Sequence, residues 1–339
     1  MVQTVEELEE RLSRPRAALV EDLRKLDGDI VVLGAAGKMG PSLVRLATRA
    51  IQEAGTATKV TAVSRFSQPG SAEAMEAAGA HVVAADISDD HALRDLPDAP
   101  NVVFLVGAKF GSTGNEPAVW ATNTYLPGRV AQRYADSRIV ALSTGNVYPL
   151  TPTGSGGPTE EHPVGPVGDY AMSCLGRERI FTHFAARQQT QTALIRLNYA
   201  VEPRYGVLVD IARKVHAGEP VDLTTGYANV VWQGYANEVI LRSLGYADVP
   251  PFLLNLTGPE TVSVRSVAEQ FARAFGTEAV YTGTESETAL LSNAGRCHGL
   301  FSYPELPLAE LIEITARWIQ EGGPSLGKPT KFQVRDGQF

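Results

Sequence analysis

The chain has 339 residues, of which 44% are hydrophobic and 20% charged. This is the composition of an ordinary globular protein, long enough to bury a full core without cross-links. The formal net charge is −8 and no run of like charges is long, which excludes the basic face that a nucleic acid or an anionic membrane needs. Locally placed cations can still hold a small anion. The two cysteines, Cys174 and Cys297, are far apart and in no metal-ligand spacing. The start is acidic, and no apolar run reaches about 20 residues. A cytoplasmic protein without metal site or membrane span is expected.

Residues 4–25 place Val5, Leu8, Leu12, Leu19 and Leu23 near one stripe, interrupted by Pro15. They read as an N-terminal helical extension, residues 1–27, that packs on the core. Residues 29–33 form a short apolar run of the kind found in buried parallel strands; glycines follow, and 41–52 reads as a helix. Strands are expected at 59–63, 81–85, 101–106 and 138–142, with helices at about 71–78 and 120–134 between them. Residues 151–168, rich in Pro, Gly, Thr and Ser, read as a loop long enough to suggest function. A helix over about 170–188 and a strand at 192–197 come next. This alternation predicts an α/β fold, a Rossmann-type doubly wound parallel sheet, over 28–198 with a return segment at about 228–247. The alternation then weakens. Residues 199–227 and 248–339 are expected to build a smaller C-terminal substrate lobe, with Ser263 capping a helix to Phe275.

The segment Gly34-Ala35-Ala36-Gly37-Lys38-Met39-Gly40 follows the first strand and opens a helix. A lone glycine pattern is weak, but here the context agrees. Glycine lets the backbone approach a pyrophosphate closely, and the helix N-terminus supplies N–H groups and partial positive charge. The loop therefore predicts a nicotinamide dinucleotide. An acidic residue at the end of the second strand would favour NAD; this chain has Ser64 and Arg65 there. Arg65 can pair with a 2′-phosphate, so NADP is expected, with NAD as the alternative. Asp86 ends the third strand, where it can accept from the adenine amino group while Ile87 packs on the ring; the other reading is a helix cap near Ser88.

Taken in order, the glycine loop, Asp86-Ile87, the stretch from Val102 to Gly107-Ala108-Lys109, Asn123, Ser143-Thr144-Gly145-Asn146-Val147-Tyr148 and Tyr170-Ala171-Met172-Ser173 resemble the extended short-chain dehydrogenase/reductase family, the group containing nucleotide-sugar epimerases and dehydratases. The likeness covers about residues 28–275. It implies that Tyr170 is the acid/base and that Thr144 holds the same substrate oxygen, because hydride transfer makes or consumes an alkoxide. It also implies cofactor contacts from Gly107, Ala108, Asn123 and Asn198. The family's lysine, four residues after the tyrosine, is here Cys174. A free tyrosine has a pKa near ~10 and is a poor base at neutral pH without a nearby cation. Three readings stay open. Lys109 or Arg177 substitutes as the cation, Cys174 itself takes part, or the site binds cofactor without turnover, as a regulator or scaffold would.

The family's 4,6-dehydratases carry Asp-Glu after the Thr, where this chain has Gly145 and Asn146; dehydration by that route is not expected. Nucleotide-sugar enzymes tend to carry an arginine in the stretch matching residues 227–235, and none is there. Tyr199, Arg204 and Tyr205 follow the sixth strand at the carboxyl edge of the sheet, where ligands sit. With Asn146 they are the candidate substrate contacts, Arg204 as a carboxylate or phosphate ligand. His162 and His298 have no partner at a readable spacing. The sequence thus predicts an NAD(P)-dependent oxidoreductase or epimerase acting on a hydroxyl or carbonyl of a sugar-like small molecule. The resemblance adds a homodimer through the helices near 120–134 and 170–188.

Overall fold

The computed structural model describes residues 2–109, 114–328 and 330–338. Seven parallel strands form the centre: β1 (Ile30–Leu33), β2 (Val60–Ser64), β3 (His81–Ala84), β4 (Asn101–Phe104), β5 (Arg138–Thr144), β6 (Thr192–Leu197) and β7 (Phe252–Leu256), in the order β7-β6-β5-β4-β1-β2-β3. The central strands are β-branched and apolar because helices cover both faces; all four residues of β1 and of β4 are buried. Ile30 pairs with Val60 on one side and Asn101 on the other. The chain reaches the edge at β3 and returns to β4, so the order reverses between β1 and β4. Ligands of such sheets sit outside the carboxyl ends of the strands at that point.

The N-terminal extension is two helices, Val5–Leu12 and Ala17–Lys25, broken around Pro15. Thr4 opens the first with a capping box to Glu7. Helix Gly40–Ala54 follows β1 and buries Leu43, Val44, Ala47 and Ile51; Gly55, with φ of 69°, ends it. The helix expected near 120–134 begins at Glu116 and runs to Arg133 through a π turn over Ala121–Tyr125. It packs on the long helix Gly168–Gln188. Among the described residues no helix is long and apolar enough to cross a membrane.

One boundary differs from expectation. Residues 252–256, placed in the lobe by sequence, form β7, paired with β6 from Phe252↔Ala193 to Leu256↔Leu197. An apolar strand at a sheet edge looks like any short buried segment in sequence; only its pairing assigns it. The lobe itself is built from helices Val207–His216, Val264–Phe275 and Leu308–Gln320, which pack together. Short ladders tie it down: Val221–Asp222 with Tyr281–Thr282, and Tyr227–Ala228 with Val262–Ser263. Ser263 accepts from the Ser266 amide at 3.2 Å as the N-cap. The long loop is tied as well. Thr151–Pro152 pairs with Thr288–Ala289, and Glu160 accepts from the buried Asn255 amide at 2.7 Å.

Candidate active site

The glycine loop turns on two amides: those of Gly34 and Ala35 donate to Val63 O at 2.9 and 3.1 Å. Gly34 has a φ of 88°, and a Cβ on Gly40 would lie 2.0 Å from Ala35 O. Only glycine lets the helix start this close to the loop. A Cβ on Gly37 would meet nothing but Gly34 O, at 3.1 Å, so this edge is open. Beside it lies a cavity of about 340 Å³ whose wall includes Gly34, Gly37, Ser64, Arg65, Asp86 and Ile87. Arg65 Nη1 stands 4.0 Å from Asp86 Oδ2, with both side chains exposed. Asp86 Oδ1 accepts from the Ser88 hydroxyl at 2.7 Å and the Ser88 amide at 3.0 Å. Those bonds, with a smaller contribution from Arg65, hold its carboxyl below the usual range. Asp86 thus both shapes the turn and lines the cavity; the helix that follows is capped by Asp89.

A second cavity, about 310 Å³, shares Gly34, Gly37, Leu105 and Gly107 with the first. Its wall brings together Lys38, Met39, Gly40, Lys109, Thr144, Asn146, Tyr170, Asn198, Tyr199 and Tyr205. Residues nearly 170 positions apart thus meet at the carboxyl ends of β1, β4, β5 and β6. The Tyr170 hydroxyl lies beside Thr144 and Cys174, close enough for each to act on its proton. Burial, then Cys174, pushes the Tyr170 phenol well above its ordinary value. Cys174 is 1% exposed among Val147, Tyr148 and Tyr170, and burial pushes its thiol up too. It is therefore held as a neutral thiol. Lys109 Nζ lies 5.7 Å from the ring centres of both Tyr170 and Tyr199 and 3.4 Å from Thr330 O. Burial lowers its ammonium to about 8, against the pull of Cys174 and with the push of Lys331.

Lys38 leaves the glycine loop, crosses the cavity and donates to Ala200 O at 2.8 Å; its Nζ is 3.3 Å from the centre of the Tyr205 ring. Burial lowers it to about 7, although Glu202 and Asp210 oppose the shift. Asn146 and Thr144 close a tight turn: Thr144 Oγ1 donates to Asn146 Oδ1 at 2.9 Å and accepts from its amide at 3.2 Å. Asn198 is 2% exposed, and its Nδ2 has no hydrogen-bond partner. A buried donor left unpaired at a cavity wall is what a site built for a polar ligand leaves open.

Two expected contacts lie behind the wall. Asn123 Oδ1 accepts from the Ala108 amide and from Arg177 Nη2, both at 2.9 Å, while its Nδ2 donates to Ala108 O at 2.8 Å and Ser173 Oγ at 3.0 Å. With donors and acceptor engaged inside the protein, it fixes the Gly107-Ala108 backbone, and Ala108 shows the cavity nothing. Arg204 also stands outside the cavity. Its guanidinium pairs with Glu202 at 3.1 Å and with Glu9 of the N-terminal extension at 2.6 Å. No pattern in the sequence pairs residue 204 with residue 9.

Sequence reasoning missed the support beneath the floor. Ser143 Oγ donates to Glu178 Oε1 at 2.6 Å; Glu178 holds Arg196 through two bonds of 3.0 and 2.7 Å; and Arg196 Nη1 donates to Tyr148 Oη at 2.7 Å. Tyr148 donates on to Asn255 Oδ1 at 2.8 Å. Glu178 and Arg196 are each 5% exposed. The available signal was helical spacing: Tyr170, Cys174, Arg177, Glu178 and Phe181 recur on one face of the helix, and all but Tyr170 are buried. Arg177, one turn beyond Cys174, reaches the cavity while donating to Leu142 O at 2.5 Å and Asn123 O at 3.3 Å.

In fold the molecule matches solved structures of sugar-nucleotide enzymes. The UDP-glucuronic acid 4-epimerase from Bacillus cereus, in complex with NAD, has a TM-score of 0.70 at 16% identity, over 86% of this chain and 99% of that one. The dTDP-glucose 4,6-dehydratase from Streptomyces venezuelae gives 0.72 at 18%, over 86% and 97%. The UDP-glucose 4-epimerase from Thermotoga maritima gives 0.69 at 17%, over 87% and 99%. No curated protein matches the chain. Residues 30–239 match the model of the NAD dependent epimerase/dehydratase family, and the chain belongs to that family. It is an enzyme of the extended short-chain dehydrogenase type that uses a nicotinamide dinucleotide. The two joined cavities fit such a cofactor, with glycine amides and a helix N-terminus at their junction and the unpaired Asn198 donor at one end.

Proposed function

We propose that the chain catalyses hydride transfer, as an oxidoreductase or a 4-epimerase, at a carbinol or carbonyl of a sugar-like molecule, with Tyr170 moving the proton. The observation that carries this reading is the meeting of Tyr170, Thr144 and Lys109 in one cavity that adjoins the glycine loop. When bound, the cofactor supplies or accepts the hydride. Thr144 Oγ1 holds the substrate oxygen, and Tyr170 Oη gives that oxygen a proton or takes one from it. Its raised pKa suits the donating direction. Two cations stand in for the absent helix lysine: Arg177, which draws the phenol's pKa down, and Lys109, 5.7 Å from the ring centre. Cys174 fills the vacated helix position as a neutral packing group.

Arg65 supports NADP over NAD, as an exposed cation beside Ser64 where a 2′-phosphate would lie. A homodimer is supported by the exposed Tyr125 (66%), Met172 (49%) and Trp120 (37%), which fall on the two helices expected to mediate it. The test is Tyr170→Phe. Turnover falls about a hundred- to ten-thousandfold while NADPH affinity, followed by fluorescence, stays within a few-fold. Undiminished turnover in that variant removes Tyr170 from the chemistry. Cys174 at the lysine position favours a second reading, a dinucleotide-binding regulator; a robust wild-type rate on any substrate eliminates it.

A further inference from the structure

The helix that carries Tyr170 starts without a side chain to cap it. Its N-cap is Val167, which makes no capping hydrogen bond, where Ser, Thr, Asp or Asn would bind a free amide of the first turn. Tyr170 lies in that first turn, so whatever fixes the helix start also fixes the phenol. On one side the neighbouring helix holds it: Trp120 Nε1 donates to Asp169 Oδ1 at 2.7 Å. On another side it meets residues from the far end of the chain.

Those residues do not trail into solvent. Thr330, 3% exposed, lines the second cavity, and its amide and hydroxyl both donate to Asp210 Oδ2. Phe332, 7% exposed, joins the hydrophobic core. Gln333 O accepts from Thr225 Oγ1 at 3.1 Å, and Arg335 donates twice to Thr288, both at 2.8 Å. Asp210, Thr225 and Thr288 all belong to the lobe. Just beyond Arg335 the segment crosses the start of the Tyr170 helix. There two glycines face each other, Gly168 with φ of 80° and Gly337 with φ of 77°. A Cβ on Gly337 would fall 2.3 Å from Val167 O, and one on Gly168 would fall 2.7 Å from Gly337 O. Both neighbours are backbone atoms, which no change of rotamer can clear. The crossing therefore requires glycine on both sides.

We propose that residues 330–338 are a clasp between the lobe and the Tyr170 helix, with Gly337 as the positioning residue for Tyr170. The inference rests on the proton-transfer reading of Tyr170 above and adds what holds that side chain in register with the lobe. The clasp is fastened to the lobe through Asp210, Thr225 and Thr288, and its end fits the uncapped helix start with no spare room. A side chain at 337 has to displace one or the other. An offset of about 1 Å at a reacting group can cost about a hundredfold in rate, so this contact bears on the chemistry although Gly337 touches none of it.

The molecule carries its own control. Each cysteine lies beside a tyrosine hydroxyl: Cys174 by Tyr170, and Cys297 with its Sγ 3.5 Å from Tyr235 Oη. Both are buried, and only Cys174 sits on the helix that the clasp meets. The experiment compares the full-length protein with Gly337→Val and with a chain ending at Asp336, which loses the crossing but keeps Thr330, Phe332 and Arg335. Each is treated with iodoacetamide under native conditions. Labelling of each thiol is followed by mass spectrometry, and its S–H stretching band by infrared spectroscopy. In both variants Cys174 is expected to label at least tenfold faster than in the full-length chain, with a shifted band that reports its altered contact with Tyr170. Cys297 is expected to keep its rate and its band. An unchanged Cys174 in both variants overturns the inference. Acceleration of both thiols together also overturns it, because general loosening of the fold exposes every buried group at once. Turnover in Tyr170→Phe reads the proton-transfer role separately, so failure of the clasp and failure of that role are distinguishable.

Discussion

The two ends of the joined cavity are built in opposite ways. The end lined by Ser64, Arg65, Asp86 and Ile87 takes these four residues from the ends of two adjacent strands and the turns that follow them. The end lined by Tyr170, Thr144, Lys109, Lys38 and Thr330 draws on residues from 34 to 330. A site made of strand ends is encoded locally and tolerates change locally. A site assembled from distant segments depends on what holds those segments together, so damage far from the chemistry should reach it.

That contrast can be broken most forcefully at the buried pair. Glu178→Gln leaves Arg196 charged without its carboxylate in a dry interior. Removing one partner of such a pair costs about 3–5 kcal/mol, to be read as a lower urea midpoint, with loss of activity before unfolding. If stability changes by less than 1 kcal/mol, the floor of the site does not rest on this network. The next effect is on rate. If the Lys109 ammonium assists Tyr170, the active form is protonated and kcat/KM falls as pH rises through about 8. Lys109→Arg, which stays charged, should move that falling limb upward, and Lys109→Met should lower the rate at every pH. An unchanged limb in the arginine variant assigns the titration to another group.

At the Arg65 end the effects should be smaller and confined to the cofactor. Arg65→Ala is expected to weaken NADPH about tenfold, the low end for a charge-assisted hydrogen bond, while NADH binding and stability stay as they are. Equal loss for both cofactors would remove the 2′-phosphate contact. The smallest effect on chemistry belongs to Met172→Glu, on the exposed helix face. It should convert a dimer to a monomer in sedimentation while leaving dinucleotide affinity intact; an unchanged mass places the interface elsewhere.

Much of this was legible in the chain itself, because the signals are short-range. The apolar run of β1, the glycines spaced after it and the small polar or acidic residues ending β2 and β3 are consequences of backbone geometry within a few residues. They named Gly34, Gly37, Ser64, Arg65, Asp86 and Ile87, which line one cavity. The family pattern then brought Tyr170, Thr144 and Lys109 together, and all three line one cavity. Arg204 and Asn123 show where such reading stops. Each is a polar residue near the right strand, yet Arg204 turns away to Glu202 and Glu9, and Asn123 spends its hydrogen bonds behind the wall. Whether a polar side chain faces a ligand depends on which partner reaches it first, and partners about 200 residues away leave no local mark.

The sequence by itself determined the doubly wound sheet and the glycine loop between the first strand and its helix, since periodicity and turn chemistry act over one element at a time. Only the tertiary structure decided that residues 252–256 complete the sheet, that Glu178 and Arg196 support the floor, and that the C-terminal segment reaches the cavity at Thr330. Each of these depends on long-range pairing and close packing, down to a glycine at 168 meeting a glycine at 337, and long-range packing is set by the whole fold rather than by any stretch of chain.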